Sequence, residues 1–357
     1  GLEKMAIERN FRKIFLANPN VGGRYSALTA FGLVPAALLG VDLTEALNRA
    51  ARSNGGMALG AAMSAGRDKV TILTDDAFST FGTWAEQLVA ESTGKEGKGI
   101  LPIEGEPAMS AEKYQADRLF VYLRSDGSKD EFISQLRDAG QPVIEIPTAD
   151  AYSLFTEFYR WEYATAIACH LLGVNAFDQP NVESAKIRAK AQIAAYNESG
   201  KLDEGTPIVD GADAKVYANV DLTGADLKST VDAFLAQAGD GDYVSIHAYL
   251  PRNAEMQTVL DGLRLSIQQK TGLATTLGFG PRFLHSTGQL HKGGANNGLF
   301  IQITTDAETD IEIPTQGMSF GTLERAQALG DCAALDAAQR RVLRIHVSDP
   351  SLLGLLA

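Results

Sequence analysis

The sequence is poor in the residues and runs that mark several large protein classes. Its 357 residues include only two cysteines, Cys169 and Cys332, and five histidines. Both cysteines lie in apolar stretches, which reads as two buried free thiols rather than a disulfide and fits a reducing cytosol. No His/Cys/Asp grouping supplies a metal-ligand set, so no metal is expected. No window approaches the ~20 apolar residues of a membrane-spanning helix. There is no Gly-x-Gly-x-x-Gly run after a strand, no Gly-x-x-x-x-Gly-Lys-Ser/Thr run and no Gly-x-Ser-x-Gly elbow. Dinucleotide-binding, P-loop and serine-hydrolase chemistries are thereby set aside. Positive charge is also scarce. The formal net charge of -12 argues against a nucleic-acid partner, whose phosphates would be repelled. A small phosphate ester stays open, because local cations can outweigh a global deficit. The start, Gly1-Leu-Glu-Lys-Met, has no initiator Met, signal or cap. It reads as the middle of a helix that begins upstream, so the chain is expected to be a fragment of a longer polypeptide.

What is present is ordinary globular material. Apolar residues make up 45%, enough for a sizeable core, and the length suggests roughly two domains at about 150 residues each. Residues 11–17 read as a strand, followed by a helix from about 25 to 39 and small-residue helices over 43–66. A strand is expected at 69–74 and a helix over about 78–91. Short strands follow at 119–123 and 142–146 with a helix between them, then longer helices at about 149–172 and 181–197. This alternation predicts a mostly parallel sheet covered by helices. The polar, turn-rich stretch from Glu198 to Pro207 marks a boundary, which divides the chain into 1–199 and 200–357. The second, smaller αβ portion has expected strands near 215–220, 243–249, 273–278, 299–304 and 342–347, and helices near 224–238 and 254–270.

Four segments could carry chemistry. In Trp84-Ala-Glu-Gln-Leu-Val-Ala-Glu-Ser-Thr-Gly-Lys, apolar residues recur at helical spacing up to Glu91, and Gly94 breaks the helix after it. A carboxylate at the negative end of a helix dipole suits a group that takes and returns a proton. Alone, it is a solvated helix-end carboxylate, and Lys95 and Lys98 are surface charges. Gly22-Gly23-Arg24-Tyr25-Ser26 joins a strand to a helix. Glycines there let backbone approach a ligand, and helix-start amides attract anions, although Gly-Gly-Arg by itself is a turn with a surface arginine. In Asn175-Ala-Phe-Asp-Gln-Pro-Asn-Val-Glu-Ser-Ala-Lys186, Pro180 suits the first helical position. Gln179 and Lys186 then share a face two turns apart; the plain alternative is a capped amphipathic helix. The fourth segment is Gly280-Pro-Arg-Phe-Leu-His285-Ser-Thr-Gly-Gln-Leu-His291, whose histidines are otherwise unremarkable.

Together these segments resemble the phosphoglucose isomerase family. The Gly-Gly-Arg-Tyr-Ser, Glu-Ser-x-Gly-Lys, His-Ser-x-Gly-Gln and Asn-x-Phe-Asp-Gln-Pro-x-Val-Glu-x-x-Lys runs all match family motifs, and the resemblance spans about residues 11–347. It implies the sugar-isomerase fold, a three-layer αβα sandwich with a mostly parallel sheet. It also implies that glucose 6-phosphate and fructose 6-phosphate are interconverted through a cis-enediolate without any cofactor. By resemblance, Glu91 is the base, Gly23 and Arg24 bind the substrate, and Arg24 stabilises the enediolate. Gln179 binds the sugar, and His285 with Lys186 opens the ring. His291 has no counterpart and is expected behind the site or at the surface.

Two departures shape the expectation. The histidine motif follows the lysine motif, an order similar to the isomerase half of bacterial bifunctional transaldolase/phosphoglucose isomerases. The Ser-Lys-Ser/Thr-x-x-Thr phosphate loop of a first sugar-isomerase domain is missing; Ser128-Lys129 lacks the hydroxyl pattern. The expected partners are therefore the sugar-phosphate substrate, upstream sugar-isomerase and transaldolase domains of the same polypeptide, and a second copy in a homodimer. The expected location is cytoplasmic, and the isolated chain is expected to be weakly active or inactive. Two alternatives remain open at this stage: a sugar-phosphate-binding regulatory module without turnover, and an isomerase that also accepts mannose 6-phosphate.

Overall fold

The computed structural model describes residues 1–356. Helix α1 (Leu2–Glu8) leads into an irregular stretch, and the strand expected at 11–17 does not form. Phe11, Phe15 and Leu16 are exposed there. β-propensity expresses fit to a half-buried pleated surface, and no sheet edge lies alongside to supply one. The expected helix at 25–39 is also shortened. A single 3-10 turn (Gly23–Tyr25) precedes α2 (Ala30–Leu38). Between them, the Ser26 and Thr29 hydroxyls donate to the carbonyls of Gly23 and Ser26, a local pairing that competes with helix. The 43–66 stretch splits into α3 (Leu43–Ala51) and α4 (Gly56–Met63), separated at Gly55, which has φ +76°.

The first sheet unit runs β1 (Lys69–Thr74), α5 (Phe81–Thr93), β2 (Leu101–Ile103), β3 (Arg118–Arg124), α6 (Asp130–Asp138), β4 (Val143–Pro147) and α7 (Ser153–Leu172). Its four strands are all parallel, in the order β2-β1-β3-β4. Val70, Ile72, Leu119 and Val121 face Leu59, Met63, Ala85, Leu88 and the fully buried Trp161 on α4, α5 and α7. Phe120 and Tyr122 face Ile133 and Leu136 of α6 on the opposite side. These are the three αβα layers, and the buried parallel strands read as near-continuous apolar runs for that reason.

Helix α8 (Val182–Ser199) leads to the second unit: β5 (Val209–Asp210), β6 (Ala214–Ala218), α9 (Leu227–Leu235), β7 (Tyr243–Tyr249), α10 (Ala254–Thr271), β8 (Ala274–Phe279), α11 (Gly288–Gly293), β9 (Gly298–Thr305), α12 (Phe320–Ala337) and β10 (Arg341–Val347). The strand order is β5-β6-β10-β9-β7-β8, with β6 antiparallel to its neighbours and the rest parallel. This sheet has six strands against four in the first. One face packs on α9 and α10 through Val244, Ile246, Ile301, Leu260 and Leu263. Helix α12 was not anticipated from sequence. It lies against α8, and a Cβ on its Gly330 would come within 2.6 Å of the Ala189 nitrogen, so the two helices approach through small residues. The segment carrying Lys186 thus rests on the second unit.

Polar contacts join the two units. Arg264 donates to the Glu104 and Gly105 carbonyls, and Glu106 accepts from the Thr275 amide while pairing with Arg118 at 2.7 Å. Among the described residues, no helix is long and apolar enough to cross a membrane.

Candidate active site

Helix α5 forms because Phe81, Ala85, Leu88 and Val89 turn one apolar face to the core, and it ends at Gly94. Its last turn presents Glu91 and Ser92. The 3-10 turn at Gly23–Tyr25 lies against it and delivers Arg24, which is only 5% exposed. The Arg24 guanidinium organises the site. Its Nε donates to Ser92 Oγ at 2.9 Å and its Nη1 to Gln179 Oε1 at 2.9 Å. Nη2 donates to the carbonyls of Ala176 and Asp178 at 2.8 and 2.9 Å. Nη1 also lies 3.4 Å from Glu91 Oε1. A buried cation is tolerated only when its donors are satisfied in this way, and the rigid fork of a guanidinium suits five partners at once.

Neighbouring groups complete the cluster. Gln87 donates to the second Glu91 oxygen at 3.1 Å. The Tyr25 hydroxyl donates to Ser92 Oγ at 3.0 Å. Burial pushes that phenol up to about 12, and the Ser92 hydrogen bond opposes the rise. The Tyr25 ring packs on Phe177 with centroids 5.2 Å apart. Gly23 has nothing within 4 Å of where a Cβ would lie, so open room adjoins Arg24. Lys95 is buried rather than a surface charge; its ammonium pairs with Asp178 at 2.8 Å and donates to the Asn175 carbonyl. Desolvation lowers the Lys95 pKa, with Asp178 opposing. Lys98 donates to the Leu172 carbonyl at 2.7 Å. Cys169 and Cys332 are both unpaired. Cys169 is buried under the site and its thiol donates to the Ser92 carbonyl, whereas Cys332 is half-buried, not fully so.

Three of the sequence candidates, Arg24, Glu91 and Gln179, meet in one bonded cluster. Gln179 and Lys186 do not share a helix face as expected, because α8 starts at Val182 with Asn181 as its cap. Pro180 and Gln179 stay in the preceding turn, where the Arg24 bonds hold the chain. Lys186 stands half-exposed on α8 and pairs with Glu183 at 3.3 Å. His285 closes a second 3-10 turn (Arg282–His285) and is exposed. That turn packs against α8, so Lys186 and His285 sit on adjoining elements. Neither bonds to the Arg24 cluster.

His291 is not at the surface. It is fully buried, stacked on His247 at 4.7 Å, and burial holds its pKa well below the ordinary imidazole range. Beneath it, Lys292 and His247 both approach Asp331, at 2.6 and 3.4 Å. This network anchors α11 on α12.

The sequence reading missed several contributors. Ser92 and Tyr25 lay inside the quoted motifs but had no assigned role. Glu86 is the least expected. It is buried, and burial first, then the Glu104 charge, raises its carboxyl to about 7. Arg282 at 4.0 Å and Ser286 oppose that rise, so Glu86 faces the turn that carries His285. Its one signal was a carboxylate in register with the apolar stripe of α5. Gln289, also fully buried, joins α11 to the site. A separate cleft of about 450 Å³, lined by residues including Glu204, Tyr249, Thr305, Asp310 and Arg325, opens at the carboxyl ends of β7 and β9 and contains none of these groups.

No protein-family model matches the chain. A glucose-6-phosphate isomerase from Heliobacterium modesticaldum is 29% identical over 242 residues, covering 52% of this chain and 54% of the relative. A glucose-6-phosphate isomerase from Streptococcus agalactiae is 28% identical with the same coverage. The chain therefore spans about half the length of the curated relatives it matches. Among solved structures, a glucose-6-phosphate isomerase from Chlamydia trachomatis aligns with 88% of this chain and 66% of its own, at 14% identity and a TM-score of 0.28. Over about half its length, this chain is similar in sequence to glucose-6-phosphate isomerases.

Proposed function

We propose that this chain supplies the proton-transfer machinery of an aldose–ketose isomerase acting on glucose 6-phosphate and fructose 6-phosphate. The observation that carries this reading is the Arg24 guanidinium set between the Glu91 carboxylate and the Gln179 amide. A carboxylate beside a fixed cation suits enediolate chemistry. Glu91 removes the proton from C2 of the open-chain sugar, and the oxygen that gains negative charge meets Arg24, a stabilisation of the oxyanion-hole kind. Glu91 then returns the proton at C1. Gln179 positions the sugar, and His285 with Lys186 opens the ring. Placed acids and bases are enough for these steps.

The reading extends to a longer bifunctional polypeptide with upstream sugar-isomerase and transaldolase domains, working in the cytoplasm and able to pair as a homodimer. The phosphate would be held by the upstream domain. The test is Glu91→Gln in the full-length polypeptide. Loss of a placed acid–base group lowers turnover by ~10²–10⁴-fold, with the fold retained. Near-normal isomerisation by that variant would remove Glu91 from its role. Vigorous isomerisation by residues 1–357 alone would remove the need for the upstream domain.

A further inference from the structure

Resting on the isomerase reading, we propose that Gln289 is a positioning residue, through which the second sheet unit sets the geometry of Arg24, Glu91 and Gln179. Gln289 lies on α11, fully buried, and both its amide donors and its oxygen are engaged. Oε1 accepts from the Asn181 backbone N–H at 2.8 Å. Nε2 donates to the Gly94 carbonyl at 2.8 Å and to Asn181 Oδ1 at 2.8 Å. Gly94 is three residues beyond Glu91, at the end of α5. Asn181 is two residues beyond Gln179, at the cap of α8. One side chain from the second unit thus fastens both turns that deliver the carboxylate and the amide.

The surroundings make the strap specific. The 174–181 turn is held from one side by Arg24, through Ala176, Asp178 and Gln179, and from the other by Gln289. The Gly97 amide donates to the Gly293 carbonyl at 3.0 Å, which adds a second tie between α11 and the loop after Glu91. A Cβ at Gly293 would fall 2.6 Å from both the Gly94 carbonyl oxygen and Asn181 Oδ1, so α11 approaches the two turns closely at this glycine. Only a primary amide supplies two donors and an acceptor here; a carboxylate supplies acceptors only, and a thioether neither. Small displacements of catalytic groups are costly, with ~1 Å worth about 10²-fold in rate.

The experiment uses Gln289→Met in the full-length polypeptide, since Met fills nearly the same volume without hydrogen bonds. Steady-state isomerisation of fructose 6-phosphate is measured together with hydrogen exchange of peptides covering 92–99 and 174–181. The expected result is a kcat lowered on the order of 10–100-fold, exceeding any rise in KM, with faster exchange in both segments and unchanged exchange in β7 and β9. Wild-type kcat with unchanged exchange would overturn the proposal, as would faster exchange spread over the whole second unit. Asn181→Ala, which leaves Gln289 in place and removes one of its partners, decides the matter if Gln289→Met does not fold; it should loosen the same two segments, and unchanged exchange there would overturn the proposal. If the unaltered polypeptide neither isomerises the sugar nor exchanges its C2 proton, the isomerase reading fails by itself, and the exchange data still decide whether Gln289 holds the two turns.

Discussion

Arg24 and Glu91 form an ion pair whose side chains are 3% and 12% exposed, with Nη1 and Oε1 3.4 Å apart. Breaking such a pair from one side strands the other charge, at a cost of about 3–5 kcal/mol. Arg24→Ala also strips partners from Ser92, Gln179 and two carbonyls. Its unfolding free energy, read from urea titration, should therefore fall by an amount of that order. Arg24→Lys restores a charge without the fork. It should recover part of the stability while isomerisation stays low; a lysine variant with full activity would show that the fork geometry is not needed.

The buried carboxyl of Glu86 gives a pH dependence with a definite sign. Its folded pKa is about 7 against an ordinary 4.5, so between those values the folded state binds more protons than the unfolded one. Stability therefore falls as pH rises through that window and stays lower above it. Glu157 and Glu162, raised to about 7 by burial, act in the same direction. His247, His291 and His346, whose pKa values burial lowers, act in the opposite direction, so the Glu86 part is read by comparing wild type and variant in urea unfolding at pH 5 and pH 8. Glu86→Gln should raise the stability at pH 8 relative to that at pH 5, compared with the wild type, by at most about 3 kcal/mol on the shift given. An unchanged pH slope in the variant would mean that Glu86 is charged throughout.

Much of this site could be read from the chain because its motifs are local. The Gly-Gly-Arg run forms a single 3-10 turn and the Glu-Ser-Thr-Gly-Lys run the end of α5, and the structure joins them through Arg24 and Ser92. Strand positions such as 69–74 and 243–249 were legible for a similar reason, since buried parallel strands are short apolar runs. The failures are non-local. The 11–17 run has strand chemistry but no neighbour to pair with. Lys95 reads as a surface charge until the 173–181 turn closes over it. Helix α12 has small residues where a core face is expected, because its contact with α8 is a close approach of backbones. The role of Gln289 depends on carbonyl and amide groups 195 and 108 residues away, which no spacing rule reaches.

Gly94 tests the seam between α5 and α11. A Cβ there would lie 2.3 Å from the Leu290 Cα, a backbone atom that cannot swing aside. Overpacking of this kind costs about 1–3 kcal/mol, and here it pushes directly on the turn after Glu91. Gly94→Ala should lower the unfolding midpoint and reduce isomerisation beyond what the lost stability explains. Gly97→Ala, where no atom lies within 4 Å but φ is +74°, should cost stability through backbone strain alone.

The position of His285 predicts how it works with Glu91 in an assembled protein. Its 3-10 turn packs against α8 of the same chain and is tied towards α5 by Arg282 approaching Glu86. On the proposed mechanism we therefore expect the histidine and the base to act in one chain's site even if two copies associate. His285 is exposed and makes no hydrogen bond among the described residues, so His285→Ala should change stability by no more than ~0.5 kcal/mol. It should slow turnover of the cyclic sugar while sparing C2 proton exchange in the open-chain form. Mixing Glu91→Gln and His285→Ala polypeptides, unfolded together and refolded, should restore no activity above the sum of the two separately. Recovery approaching a quarter of the normal rate would instead mean that the imidazole reaches the sugar from a neighbouring copy.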